Sequence, residues 1–566
     1  MPLPRTLFAA DAPADHDLQV TQGTWPKDLA GEIFISAPHP DTFGGSHPFY
    51  GDGMTYRLSL QPGTFGAPSD TFAWRQRRID SPSARLRAKR PDVFRSTMVG
   101  LHSPFGMTNA ANTAPLPWGD RLFMTWDVGR PVEIDPHSLA FVGEVGHRKD
   151  WHTFEVFPQP ILPMVRSTAH PVIDPDRHVM WTVNTHEGKL VIVRYNAQGE
   201  FHSWPITDAV IPQTLHSITQ TRDWLVVADC AFKIEPQVVF GGKRTQPANH
   251  SGPVYLIRKD QIEATKPGQE VACKRFELAP ELNHYYGIYD DSNGIKIVFE
   301  HTENADIAMT QDTGALDALG RPCDPKLRGL YGFPMSPDRT TMIEFDPETG
   351  AVTERAELRD PTLLWTRQLS ALDYSTEGMS RPVSRHSVYH GWRPEAITRE
   401  MVELYGDRVD QTLWPREETP PLLMTASMPD LTMSSCYEMR ADDMPTSPIF
   451  VPSGAPAPDA SRYSGTNPGG HDGYVVVPIL NDGGFRVEVF NAAHVGSGPI
   501  ATLSAPGMIV PFVLHSAWMP AAVPVDRSAL VRTRFSDELD RVNELPDDLA
   551  QTVRDVAHEL DANQPM

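Results

Sequence analysis

The chain has 566 residues and a formal net charge of -22, and it contains no run approaching the ~18 consecutive apolar residues of a membrane helix. An acidic surface of this kind opposes binding to nucleic acid and to anionic lipid headgroups, both of which need basic patches; a peripheral membrane contact through an apolar patch stays open. With 40% hydrophobic residues and a mean hydropathy of -0.35, the chain can build a large core, and large all-β folds run to this length without splitting.

The N-terminal stretch MPLPRTLFAADAPADHD lacks a basic region followed by an apolar segment, so the expected location is the cytoplasm. GEIFISAPHP then reads as a short strand leaving a glycine. In HPFYGDGMTYRLSL, Gly51, Asp52 and Gly53 read as a tight turn before a strand alternating through Met54, Tyr56, Leu58 and Leu60. The stretch from Thr71 to Arg95, rich in arginine and short polar residues, reads as a solvated connector, because a nucleic-acid patch does not fit so acidic a whole. Further on, a turn at Trp118-Gly119-Asp120, a strand through Leu122-Phe123-Met124 and a turn at Asp135-Pro136-His137-Ser138 set a hairpin rhythm. It recurs as VIDPDRHVMWTVN, VIVRYNAQGEFHSWPI, MIEFDPETGAVTERAEL and GGFRVEVFNAAHVGSGPIATLSAP. Short strands with turns at close intervals imply a sandwich, barrel or propeller, and repetition over most of a long chain favours the propeller.

Three segments depart from that rhythm. Residues 394–420 have helical periodicity, as an inserted cap would. Residues 452–472 are rich in Pro, Gly and Ser and read as a long loop. Residues 521–566 read as an acidic helical extension, a surface helix pair with Ser536 as N-cap. The expected organisation is therefore one β domain over 1–520 and the extension beyond it. The four cysteines, Cys230, Cys273, Cys323 and Cys436, have no CxxC spacing, which argues against a disulfide framework or a thiolate zinc site.

Four apolar runs each end in a histidine: VRSTAH at His170, IPQTLH at His216, GIKIVFEH at His301 and MIVPFVLH at His515. Neutral imidazole is a ligand for Zn, Cu, Fe and Ni, and a shared ion would satisfy four such rings where strands end. A single histidine on an apolar run is nevertheless more often a hydrogen-bonded core residue, and these long intervals match no short metal motif.

Taken together, HPFYGDGM, NAANTAPLPWGDRLFMTWDVGRPVEIDPHSL, STAHPVIDP, LHSITQTRDWLVV, FEHTENADIA, SPIFVPSGA and PFVLHSAWMP resemble, in the same order, the carotenoid cleavage oxygenases. That family also includes stilbene-cleaving dioxygenases and the retinal pigment epithelium isomerohydrolase. The resemblance runs from about Gly31 to Pro520. It implies a seven-bladed all-β propeller with a helical and loop cap over the metal site, and one non-haem Fe(II) held by His170, His216, His301 and His515. It also implies cleavage of a C=C bond of an apolar alkene, an apocarotenoid or carotenoid foremost, into two carbonyl products with O2. Such a cleavage supplies all four electrons that O2 takes up, so no nicotinamide, flavin or 2-oxoglutarate is needed, and no GxGxxG fingerprint is present. No side chain is assigned as general acid or base.

The family orients its ligating histidines with glutamates. This sequence has Ala140 and Ser447 where two of them are expected, Asp430 or Glu438 as candidates for the third, and Ser217 after His216 where Asp is usual. Those departures keep open a propeller that binds an apolar ligand without oxygenation. Aryl-alkene cleavage is the other alternative, disfavoured because Thr125 and Trp126 stand near the position of a phenol-holding lysine. Phe49, Tyr50, Trp126 and Trp518 are candidate tunnel residues, although aromatics on propeller strands are more often core. A Ca-dependent hydrolase would favour carboxylate and carbonyl ligands, which an all-imidazole set is not. Isomerisation or hydrolysis without net oxygenation also stays open.

Overall fold

The computed structural model describes residues 2–563 except 10–13, 44–46, 95–100, 156, 234, 236–241, 372, 374–378, 380–381, 429, 455–468, 529 and 532. The recurring hairpins form antiparallel sheets in a propeller-like arrangement. Five of them are separate four-stranded sheets, each a simple meander whose first strand in sequence is its inner edge. The first runs from Ala114–Trp118 to Phe141–Glu144 and the second from Val172–Asp174 to Phe201–Val210. The third runs from Ile218–Gln220 to Lys274–Leu278, the fourth from Leu282–Gly287 to Val352–Leu358, and the fifth from Arg367–Ala371 to Met433–Glu438. In place of two further separate blades there is one ten-stranded sheet. His16–Gly23 joins its halves by pairing with Ala501–Ser504 on one side and Phe72–Arg78 on the other.

Local chemistry explains the hairpins. Val179–His186 turns into Lys189–Asn196 through Glu187 and Gly188, both at positive φ (51° and 81°), the backbone a type I′ turn needs to match strand twist. The turn expected at Trp118-Gly119-Asp120 joins Ala114–Trp118 to Arg121–Thr125, with Gly119 at φ 61°. Middle strands are buried on both faces: every residue of Gly53–Ser59 is buried, where alternation is expected, because neighbouring sheets cover both sides. The ring closes where Glu32–Ile35 pairs with Ser516–Met519.

The arginine-rich stretch is not a loose connector. It forms the strand Phe72–Arg78 and the helix Pro82–Lys89, capped by Ser81, whose hydroxyl accepts from Ala84 N. The 394–420 segment holds one helix, Arg399–Tyr405, capped by Thr398, with short 3-10 turns around it. Most of the long loop expected at 452–472 lies outside the described residues.

The C-terminal segment contains one α-helix, Asp547–Asn563, and 3-10 turns; no helix pair is found among the described residues. Ser536 is not a cap but lies inside the turn Phe535–Glu538, which Arg534 caps. Leu549, Val553, Val556 and Leu560 bury against Leu86, Phe105, Ile161 and Leu162. At ~1.5–3 kcal/mol for each buried aliphatic side chain, that face fastens the helix to the body of the fold. Glu538 adds a buried ion pair to Arg130 at 2.7 Å. Among the described residues no helix is long and apolar enough to cross a membrane.

Candidate metal centre

The inner strands of adjacent sheets lie side by side, and the residues that lead into them meet at one end of the ring. His170 precedes Val172–Asp174 and His216 precedes Ile218–Gln220, and the two chains touch through a parallel bridge between His170 and Ser217. Thr168 Oγ1 donates to the His216 carbonyl (2.8 Å), and the Tyr285 hydroxyl donates to the Ser217 carbonyl. His515 opens the closing strand, held by Ser36 N donating to its carbonyl at 2.9 Å.

The fourth imidazole of the group is His284, not His301. Nitrogens of His170, His216, His284 and His515 all lie within 4.8 Å of one another. Their rings sit 4.3–5.2 Å apart in the pairs His170–His515 and His284–His515, with the other contacts between. His301 ends Ile295–His301, the second strand of its sheet and so one strand out from the inner edge. Both of its nitrogens are already used, Nδ1 on the Pro280 carbonyl at 3.0 Å and Nε2 with Thr341 Oγ1 at 2.8 Å. Burial pushes it down to about 4, so it stays a neutral core residue.

The converging rings behave differently. His170 Nε2 is buried with no hydrogen-bond partner among the described residues, and His216 Nε2 and His284 Nε2 face each other at 3.2 Å. Burial first, then the charge each would impose on the others, holds His170, His284 and His515 well below the usual imidazole range. They are therefore neutral, with lone pairs free to bind a cation. Buried polar atoms normally find partners. An orphaned nitrogen among three more imidazoles, with no thiolate or carboxylate in the set, fits a borderline transition metal such as Fe(II) and not Ca or Mg.

Carboxylates stand behind two of these rings, at positions the sequence analysis does not single out. Asp127 accepts from His216 Nδ1–H at 3.0–3.1 Å, which fixes the tautomer that leaves Nε2 bare. Asp127 is itself tied to the His170 loop by Ala169 N donating to its Oδ1 at 3.0 Å. Glu300 faces His284 Nδ1 at 3.4 Å, an electrostatic contact, and is held by Ser370 at 2.7 Å, Arg367 at 3.2 Å and Arg385. Ala140 only closes a turn with Asp135, while Ser447 Oγ accepts from the backbone N of Ser516, next to His515. Asp430 binds Thr432 in a surface turn and Glu438 is exposed. Ser217 is buried, and its hydroxyl has no partner.

An aromatic group adjoins the histidines. His47, Phe49, Tyr50, Phe232, Tyr331 and Phe512 stack or tilt on one another at 4.5–6.4 Å between ring centres. Phe512 lies three residues before His515, and Asn112, next to the Thr113 carbonyl that His515 N meets at 3.3 Å, donates to the Phe49 and Gly51 carbonyls. Of the sequence-proposed tunnel residues, Phe49 and Tyr50 belong to this group. Trp126 packs nearby with Tyr50, Leu101 and Met107. Trp518 does not: its indole N–H donates to Ala30 O at 2.9 Å on the ring-closing strand.

A family model described as Retinal pigment epithelial membrane protein matches residues 8–520. Carotenoid cleavage dioxygenase 7, chloroplastic, of Oryza sativa subsp. japonica is 31% identical over 140 residues, 22% of this chain and 22% of that protein. Apocarotenoid-15,15'-oxygenase of Synechocystis sp. is 30% identical over 168 residues, 28% of this chain and 32% of that protein. The aligned stretches thus span a third or less of these curated relatives. Among solved structures, lignostilbene dioxygenase of Pseudomonas brassicacearum superposes with a TM-score of 0.60 at 16% identity, covering 92% of this chain and 100% of that one. A variant of the Synechocystis apocarotenoid oxygenase does so with a TM-score of 0.58 at 16% identity, covering 91% and 98%. At such identities the likeness is one of fold.

Proposed function

The chain belongs to the carotenoid oxygenase family, and from that membership we propose that it is a non-haem Fe(II) dioxygenase. Its reaction is cleavage of a C=C bond of an apolar alkene, an apocarotenoid or carotenoid foremost, into two carbonyl products with O2. The observation that carries the reading is the convergence of His170, His216, His284 and His515 with a buried, partnerless nitrogen among them. Those four residues would hold the metal. When bound, Fe(II) supplies open coordination positions and redox chemistry that bring O2 to the alkene.

The protein's own groups do the rest. Asp127 keeps His216 in the tautomer with a free Nε2, and Glu300 places negative charge behind His284. Phe49, Phe232 and Phe512 offer apolar faces to a conjugated chain and exclude water from the reacting bond. In counting blades we take the ten-stranded sheet as two, fused through His16–Gly23, which with the five separate sheets gives the seven of the family's architecture. Asp127 and Glu300 place carboxylates behind two of the rings, which weighs against binding without oxygenation, and iron uptake decides between the two readings.

After anaerobic Fe(II) reconstitution, elemental analysis is expected to find about one iron per chain. Turnover of an apocarotenoid under 18O2 is then expected to put label into the carbonyl products. A folded protein that takes up no iron, or cleavage with no label in either fragment, rejects the dioxygenase reading.

A further inference from the structure

Beside the aromatic group lies a cation whose hydrogen-bonding capacity is only partly used. The Arg244 side chain is 2% exposed. Its Nε donates to Asp306 Oδ2 at 2.5 Å and its Nη1 donates to the Lys233 carbonyl, with Glu235 at 3.9 Å. Its Nη2 is buried and has no partner among the described residues. The Tyr405 hydroxyl, donating to Asp306 at 3.1 Å, secures that carboxylate from the inserted helix.

Both anchors adjoin the aromatic group. Lys233 follows Phe232, and Asp306 precedes Ile307, whose carbonyl accepts from His47 Nε2 at 2.6 Å. The guanidinium is thereby tied to the two segments that carry Phe232 and the His47 acceptor, and its charge reaches Tyr50, where it opposes the burial that raises that phenol to about 12. The cluster is tied in turn to the histidines, because Ala231 N donates to the Leu282 carbonyl at 2.8 Å, two residues before His284.

Resting on the oxygenase reading above, we propose that Arg244 is a specificity-determining residue that receives the oxygen-bearing end of the alkene through Nη2. A buried N–H left unpaired costs about 1–3 kcal/mol, and an oxygen acceptor on a ligand recovers it. The acceptor is neutral: a carbonyl, an alcohol or a phenol. Asp306 and Glu235 already outnumber the single guanidinium charge, so a carboxylate-ended ligand would add a third anion beside Arg244 and bind more weakly. The inference narrows the substrate class from any apolar alkene to one ending in a neutral oxygen group.

The test is binding, measured by quenching of tryptophan fluorescence in the iron-loaded, oxygen-free protein. The probes are a polyene aldehyde, the matching hydrocarbon with methyl in place of the aldehyde, and the matching acid. The wild type is expected to bind the aldehyde about 10–100-fold more tightly than the hydrocarbon, the range of a hydrogen bond to a charged group. The acid should bind less well than the aldehyde. In Arg244→Met the aldehyde should fall to the affinity of the hydrocarbon while hydrocarbon affinity and iron content stay unchanged, and Arg244→Lys should recover part of the difference. Equal wild-type affinities for aldehyde and hydrocarbon overturn the proposal without any variant. A variant that loses both probes alike overturns it too, as a purely structural role would. Selective aldehyde binding with no cleavage of either probe once O2 is admitted supports the Arg244 assignment and rejects the oxygenase reading, so the two fail separately.

Discussion

Two polar sites in this propeller-like fold differ in how far their bonding capacity is used. Lys259 is fully buried, and its ammonium donates to Asp174 Oδ2 at 2.7 Å, Gln220 Oε1 at 2.8 Å and the Thr221 carbonyl at 2.7 Å. Three donors meet three acceptors, and Asp174 takes further bonds from Trp181 Nε1 and the Tyr289 hydroxyl, both at 3.2 Å. Such a site is complete and ties the second sheet to the third. The histidine group is less deeply placed, with His284 buried and the other three rings half-buried; its nitrogens point at one another, and His170 Nε2 has no hydrogen-bond partner among the described residues. Polarity is common to both. Unspent bonding capacity is what separates a site that binds something from one that only holds strands together.

The largest expected effect breaks that comparison at the histidines. His284→Ala should abolish iron uptake, whereas His301→Ala, whose ring is already satisfied, should keep it. Elemental analysis of the two purified variants decides, and the reverse pattern would restore His301 as the ligand. Lys259→Met comes next, because it leaves the buried Asp174 with only the longer Arg177 ion pair at 3.4 Å: about 3–5 kcal/mol of stability should be lost in urea unfolding, with iron content unchanged. A loss of iron there would mean that the two sites are not independent. The smallest effect is that of Asp127→Asn, which keeps the shape but removes the charge behind His216. Iron affinity should fall about 10–100-fold, with folding stability of the metal-free protein nearly unaffected, as read from competition with a chelator.

Much of the ring is legible in the chain. Turn residues mark the hairpins, and His170, His216 and His515 announce themselves because each sits where a strand next to the axis begins. His284 does not. It follows Glu281-Leu282-Asn283, with no apolar run ahead of it, whereas His301 ends the strongly apolar Ile295–Phe299. Local hydrophobicity reports how central a strand is within its own sheet, and the second strand, covered on both faces, is more apolar than the one at the axis. The first-strand position is the signal that could have found His284. Asp127 was hidden for a related reason: it lies just past the end of Arg121–Thr125, distant in sequence from the ring it orients. The joining of the ten-stranded sheet through His16–Gly23 is hidden too, because that strand is mostly exposed and carries little apolar pattern.

The pairing of Glu32–Ile35 with Ser516–Met519 has a consequence for how the protein comes into being. The strand that locks the ring leaves the ribosome after every other described strand, and it delivers His515 with it. Until residue 519 has emerged, three imidazoles wait without their fourth and the first sheets wait without a closing edge. Completion of the circle and completion of the four-histidine group are therefore one event in biosynthesis. Iron retained by a nascent or refolding chain is a direct reporter that the circle has closed.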